Sequence, residues 1–91
     1  MEVHVNDVVA ARKRLTSVIL PTELTYSRSC SDWVGTKTYL KYENLQLTGS
    51  FKIRGALNKI LSLPADKKGK TVIAASAGNH AQGVAFSARH V

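Results

Sequence analysis

Two short segments hold the residues best suited to chemistry: Thr48-Gly49-Ser50-Phe51-Lys52-Ile53-Arg54-Gly55 and Ser76-Ala77-Gly78-Asn79-His80-Ala81-Gln82-Gly83. In the first, Ser50 can cap a helix whose apolar stripe is Ile53, Ala56, Leu57, Ile60 and Leu61. Lys52 then falls in the first helical turn, where the positive end of the helix dipole disfavours a cation. That setting favours the neutral amine that imine formation requires. Helical spacing puts Lys52, Gly55 and Lys59 on one side and Ile53, Leu57 and Ile60 on another, so the lysine faces away from the core stripe. Gly49 permits a sharp turn, and Gly55 permits close approach of a second backbone. A solvated lysine on an amphipathic helix fits the same residues. The glycine-lysine spacing of a Walker phosphate loop is missing.

The second segment follows the apolar run Thr71 to Ala75, which reads as a buried parallel strand. Ser76 to Asn79 would then turn tightly at the carboxyl end of that strand and open a helix from about His80, the place where open α/β sheets bind ligands. Small residues there leave backbone N–H groups accessible to a carboxylate or phosphate, and Ser76 and Asn79 add polar side chains. An ordinary strand-to-helix turn with Asn or Ser as cap fits equally well. His80 reads as readily as a hydrogen-bonded helix-start histidine as it does a base.

The surrounding elements must position these segments. A helix is expected from about Asn6, with Asn6 as cap and Asp7 near the positive dipole end. Val8, Val9, Leu15 and Val18-Ile19 give its apolar face, Arg12, Lys13 and Arg14 its solvated side, and Pro21 stops it at or before Leu20. Thr22 to Gly35 reads as a long loop with a short helical piece, anchored by Trp33. Thr36 to Tyr42 alternates as a partly exposed strand. Pro64 ends the lysine helix, and Val84, Ala85 and Ala88 are the expected packing face of the last helix. Strand, helix, strand, helix is an α/β alternation.

The 91 residues supply too few strands and helices to surround a buried parallel strand, so the expectation is the N-terminal piece of a larger α/β protein. Composition is that of a globular chain: 44% hydrophobic and 21% charged, with no apolar run long enough for a membrane helix and no secretory signal pattern. The single cysteine, Cys30, excludes an intrachain disulfide and is not grouped with His4, His80 or His90 at metal-site spacing; no metal site is expected. Thirteen basic against six acidic side chains give a formal charge of +7. That raises a small basic anion-binding module as a rival, but Arg12-Lys13-Arg14 and Lys67-Lys68-Lys70 are separate runs, aromatics are few and no nucleic-acid motif occurs. Neither a nucleic-acid nor a membrane partner is expected.

The stretch Glu43-Asn44-Leu45-Gln46-Leu47-Thr48-Gly49-Ser50-Phe51-Lys52-Ile53-Arg54-Gly55-Ala56 resembles the lysine segment of the tryptophan-synthase-β-like (fold type II) pyridoxal-phosphate enzymes. Within them it looks most like the threonine dehydratases (threonine ammonia-lyases) and their serine racemase relatives. Ser76-Ala77-Gly78-Asn79-His80 is similar to their substrate-carboxylate and cofactor loop. The resemblance implies a two-domain enzyme with open parallel sheets, residues 1–50 belonging to the larger catalytic domain and 51–91 holding the lysine helix and the start of the smaller one. It implies pyridoxal 5′-phosphate held covalently by Lys52, Phe51 packing on the cofactor, and Asn79 bonding its ring oxygen. Ser76, with the backbone of Ala77, Gly78, Asn79 and His80, would bind the substrate carboxylate. L-Threonine or L-serine would be dehydrated and deaminated to 2-oxobutanoate or pyruvate plus ammonia, in a cytoplasmic homo-oligomer serving isoleucine biosynthesis or threonine catabolism. Racemases of the family carry a serine where this chain has Ala77, and an alanine cannot move a proton, so dehydration is favoured over the serine racemase alternative. The family's glycine-rich phosphate loop lies farther along and has no counterpart in these residues, so the 91 residues alone are expected to be inactive.

Overall fold

The computed structural model describes all 91 residues, Met1–Val91. In chain order the elements are α1 (Val5–Leu15), β1 (Leu24–Tyr26), α2 (Arg28–Val34), β2 (Tyr39–Lys41), α3 (Lys52–Leu61) and α4 (Asn79–His90). Short 3₁₀ turns occupy Glu43–Leu45, Leu47–Gly49 and Ala65–Lys67. No helix is long and apolar enough to cross a membrane.

The core forms where the stripe of α3 meets α1. Ile53 and Leu57 have no exposed surface, Ala56 and Ile60 keep 8% and 7%, and Leu15 of α1 packs on Ile53 and Leu57. Val18, Ile19, Leu47, Leu61 and Phe86 close around them. Burying each large aliphatic side chain contributes roughly 1.5–3 kcal/mol, so this contact fixes the height and rotation of α3. One core therefore links residues on both sides of position 50.

The termini of α1 differ from the expected capping. Asn6 lies inside the helix. The start is set by Asp7, whose carboxylate accepts the His4 N–H at 2.8 Å. The helix ends at Leu15, ahead of Pro21 as expected; Thr16 donates both its N–H (3.0 Å) and its hydroxyl (2.6 Å) to Arg12 O.

The sheet departs further. The strand expected within Thr36–Tyr42 is present as β2, but its partner is β1, from the stretch read as irregular. The pairing is antiparallel, with Leu24 opposite Lys41, Thr25 opposite Leu40 and Tyr26 opposite Tyr39. Leu-Thr-Tyr is β-favouring, yet three residues are too few for alternation to announce a strand. Thr71 to Ala75 pairs with nothing and is not buried; Ile73 is 90% exposed. A parallel strand needs neighbours on both edges, and these residues hold none for it. The sheet within the chain is thus a two-stranded antiparallel ribbon, not an open parallel sheet.

Trp33, the expected anchor of the Thr22–Gly35 segment, is 88% exposed. Ser31 anchors it instead. Its buried hydroxyl donates to Ser27 O at 2.6 Å and accepts the Thr38 N–H at 2.9 Å, tying α2 to the start of β2. Gly35 ends α2 at φ +83°, a left-handed conformation that suits glycine, and donates its N–H to Ser31 O at 2.9 Å. Ser31→Ala leaves the Thr38 N–H without its acceptor and is expected to destabilise the chain by about 1–2 kcal/mol in urea unfolding. An unchanged midpoint would show that this tie is dispensable.

Candidate functional site

The entry to α3 is built by an unusual turn. Thr48 and Gly49 both have left-handed backbones, at φ +66° and +74°. For a β-branched residue this is strained, and the Thr48 hydroxyl is also buried without a partner. The turn delivers Ser50 in an extended conformation (φ −156°, ψ 169°), with its Oγ accepting the Lys52 N–H at 3.4 Å. The residue at the cap of α3 is Phe51, with no side-chain cap, and not Ser50 as expected; the left-handed turn at Thr48-Gly49 leaves Ser50 one residue before the cap, and Lys52 is the first residue of α3. Its side chain is exposed, away from the core stripe. Nζ lies 5.5 Å from the centroid of the Phe51 ring, itself 60% exposed. An accessible amine beside a flat apolar face results.

Ser76, Ala77, Gly78, Asn79 and His80 are all exposed. Ser76 Oγ accepts the Gly78 N–H at 3.3 Å, curling the loop back on itself. Helix α4 begins at Asn79, and the residue at its cap is Gly78, with no side-chain cap, rather than Asn or Ser. The first N–H bonded back along the helix is that of Gln82, to Gly78 O at 3.3 Å. The N–H groups of Asn79, His80 and Ala81 thus have no partner within the helix and form an anion-seeking set.

The two segments are brought together by the packing of α3 on α4. The face used is not the expected one: Ala85 and Ala88 are exposed and Val84 is half-buried, while Gly83 and Ser87 are buried. A Cβ added at Gly83 would sit 3.1 Å from Ile53 N and 3.2 Å from Lys52 C. The glycine that permits close backbone approach is therefore Gly83; Gly55, expected in that role, has open space around it. Gly83 lies one turn beyond Asn79, about 5–6 Å along α4. Lys52 and the Ser76–His80 loop thus lie at neighbouring ends of two helices in backbone contact, with no hydrogen bond between them.

A polar clasp absent from the sequence reading holds α3 from the other side. Arg54 donates to Glu43 through both Nε and Nη2, the latter at 3.1 Å to Oε2, and Thr22 donates its hydroxyl to the same oxygen at 2.6 Å. Gln46 is buried and spans the Leu20 peptide groups, accepting from Leu20 N at 3.0 Å and donating to Leu20 O at 2.7 Å. Lys41 Nζ donates to Pro21 O at 2.6 Å and Thr22 O at 3.1 Å. The paired guanidinium, and to a lesser degree the Thr22 hydroxyl, hold the Glu43 carboxyl at about 2, well below its ordinary 4.5, against the opposing effect of burial. The same bond raises the Arg54 pKa. These residues are dispersed over 30-odd positions of sequence without periodicity, so only the fold assembles them.

A groove of about 570 Å³ lies between α1 and this clasp, lined by Leu15, Ile19, Pro21, Lys41 and Arg54 among others; Arg54 is its one residue from the two segments, and neither Lys52 nor the Ser76–His80 loop lines it. The chemistry-bearing groups sit instead on an open face. No cluster of three or more His, Cys, Asp or Glu residues is arranged to hold a metal ion.

A family model described as "Pyridoxal-phosphate dependent enzyme" matches residues 15–91. The L-threonine ammonia-lyase of Thermotoga maritima is 51% identical over 87 residues, which is 96% of this chain and 22% of that protein. Among solved structures, a threonine deaminase of T.th. superposes with a TM-score of 0.81 at 43% identity, over 97% of this chain and 31% of its own. A serine racemase from Dictyostelium discoideum superposes with a TM-score of 0.89 at 38% identity, over 97% of this chain and 29% of its own. The chain therefore spans between a fifth and a third of the length of these relatives.

Proposed function

The chain belongs to the pyridoxal-phosphate dependent enzyme family, and from that premise we propose that it supplies the lysine and carboxylate-binding segments of an enzyme that converts L-threonine to 2-oxobutanoate and ammonia, and L-serine to pyruvate and ammonia. The residues present fit the cofactor. Lys52 offers an accessible amine, Phe51 an exposed ring face beside it, and α4 a set of unpartnered N–H groups one helical turn from the Lys52 backbone. When bound, pyridoxal phosphate stabilises the electron pair left on the substrate's α-carbon.

Lys52 would hold the cofactor through its amine. Its Nζ, when not bonded to the cofactor, would be the group placed to take the α-proton. The N–H groups of Asn79 and His80, with Ser76, would hold the substrate carboxylate, and the Asn79 side chain would orient the ring. Loss of the β-hydroxyl as water and hydrolysis of the remaining enamine complete the conversion. Residues 1–50 as part of the larger catalytic domain, 51–91 as the start of the smaller, a homo-oligomeric assembly and a cytoplasmic location belong to the same proposal.

Two lines of likeness point in different directions on the reaction. Backbone superposition is tighter with a serine racemase, while sequence identity is higher with an L-threonine ammonia-lyase. Backbone shape does not encode an acid or base, so the side chain at position 77 is the better guide. Ala77 has no proton to deliver to the opposite face of the substrate, and this observation carries the ammonia-lyase reading.

The test is a graft of this chain in place of the aligned segment of the Thermotoga maritima L-threonine ammonia-lyase. The grafted enzyme is expected to release ammonia from L-threonine and to form no D-serine from L-serine. Ala77→Ser is expected to make D-serine measurable while retaining ammonia release within about tenfold, since one proton donor is added and none removed. Racemisation by the unsubstituted graft at a rate comparable to ammonia release would favour the racemase. The 91 residues alone, mixed with cofactor and L-threonine, are expected to release no ammonia.

A further inference from the structure

We infer that Gly83 is a positioning residue that sets the distance between Lys52 and the carboxylate loop, and that the width of this seam governs proton transfer at Lys52. The inference deepens the proposed function and rests on it. The geometry is specific. The atoms nearest to a Cβ at position 83 are Ile53 N at 3.1 Å, Lys52 C at 3.2 Å and Ile53 Cα at 3.3 Å. The first two are the halves of the peptide bond that follows Lys52. Nothing flexible lies in the way; the neighbour is backbone, held on its far side by the fully buried Ile53 side chain.

Position 83 is also fixed on its own helix. Ser87, with no exposed surface, donates its hydroxyl to Gly83 O at 2.6 Å. A methyl group at 83 therefore moves one helix relative to the other by a few tenths of an ångström rather than being absorbed locally. Asn79 and His80 travel with α4, because they occupy the turn before Gly83. Lys52 travels with α3, because it is that helix's first residue. The displacement is thus delivered between the proton-moving amine and the groups that hold the substrate. A misplacement of about 1 Å costs about 10²-fold in rate where reacting groups are pre-aligned, so a shift of tenths is expected to cost about tenfold.

The loss should fall on turnover rather than on binding, because the loop that holds the carboxylate moves as a unit. In the grafted enzyme, Gly83→Ala is expected to lower kcat for L-threonine about tenfold and change KM by less than about twofold, at equal cofactor occupancy. The absorbance of the lysine–cofactor imine should change its pH dependence. Ile60→Val, which thins the same core two turns away, is the control for stability alone and is expected to lower the unfolding midpoint with kcat unchanged. Unchanged kcat in Gly83→Ala, or an equal loss in Ile60→Val, would overturn the inference. If the unsubstituted graft neither forms the imine nor releases ammonia, the proposed function fails instead, so the two failures are distinguishable.

Discussion

Lys52→Ala in the grafted enzyme is expected to lower ammonia release from L-threonine by about 10³-fold or more while changing stability by less than about 1 kcal/mol. The two halves follow from the same observations. Lys52 is exposed and makes no salt bridge; its one stabilising contact is with the Phe51 ring at 5.5 Å, worth about 0.5–1 kcal/mol at an exposed site. Its contribution to folding is therefore small, and the contribution to chemistry proposed for it is the amine. Lys52→Arg separates amine from charge. Guanidinium keeps the positive charge and the stem but does not lose its proton, so it serves as neither nucleophile nor base. Both variants should fold, and both should lack the imine band and ammonia release. An arginine variant that keeps more than a tenth of the rate would show that position 52 acts through charge.

The second large effect lies in the clasp. Arg54→Ala is expected to cost about 2–3 kcal/mol, because it leaves the Glu43 carboxylate, only 15% exposed, without its two charge-assisted bonds. Glu43→Gln should cost somewhat less, and the double variant should cost clearly less than the sum, since each change removes the same pair. The pH dependence carries its own sign. The Glu43 carboxyl is held at about 2 in the folded chain against an ordinary 4.5, so the pair's stabilisation is fully present above pH 4.5. It is lost as pH falls from there toward 2, amounting to about 2–3 kcal/mol across that window. Urea midpoints between pH 7 and pH 3 should therefore fall more steeply for the original chain than for Glu43→Gln. Equal slopes would show that the acid sensitivity lies in other carboxylates.

Much of this was legible in the residue order because it is local. The α3 stripe repeats at helical spacing, and Ile53, Ala56, Leu57 and Ile60 are indeed the buried face. Lys52 follows as the outward residue of the first turn. The Ser76–His80 loop is visible because its small residues precede a helix. What was not legible depends on contacts distant in sequence. Nothing local marks Leu24–Tyr26 as the partner of Tyr39–Lys41, and a tryptophan at 33 invites an anchoring role that the small hydroxyl of Ser31 fills. Both Gly55 and Gly83 could permit close approach, and only the α3–α4 packing assigns it to Gly83. Thr71 to Ala75 shows the opposite case: its composition is that of a buried strand, but burial and pairing depend on neighbours that these 91 residues do not contain. The Arg54–Glu43 pair spans two elements whose mutual orientation no motif encodes.

Whether Lys52 is the residue that holds the cofactor is decided by trapping. The grafted enzyme is mixed with pyridoxal phosphate, the imine is reduced with borohydride, and the modified lysine is located by peptide mass mapping. The label is expected on Lys52, with Lys59, two turns farther along the same helix, unlabelled. Prior addition of L-threonine should lower the labelling. A label spread over Lys52, Lys59 and the Lys67-Lys68-Lys70 run, or placed on a lysine outside the grafted segment, would contradict this assignment.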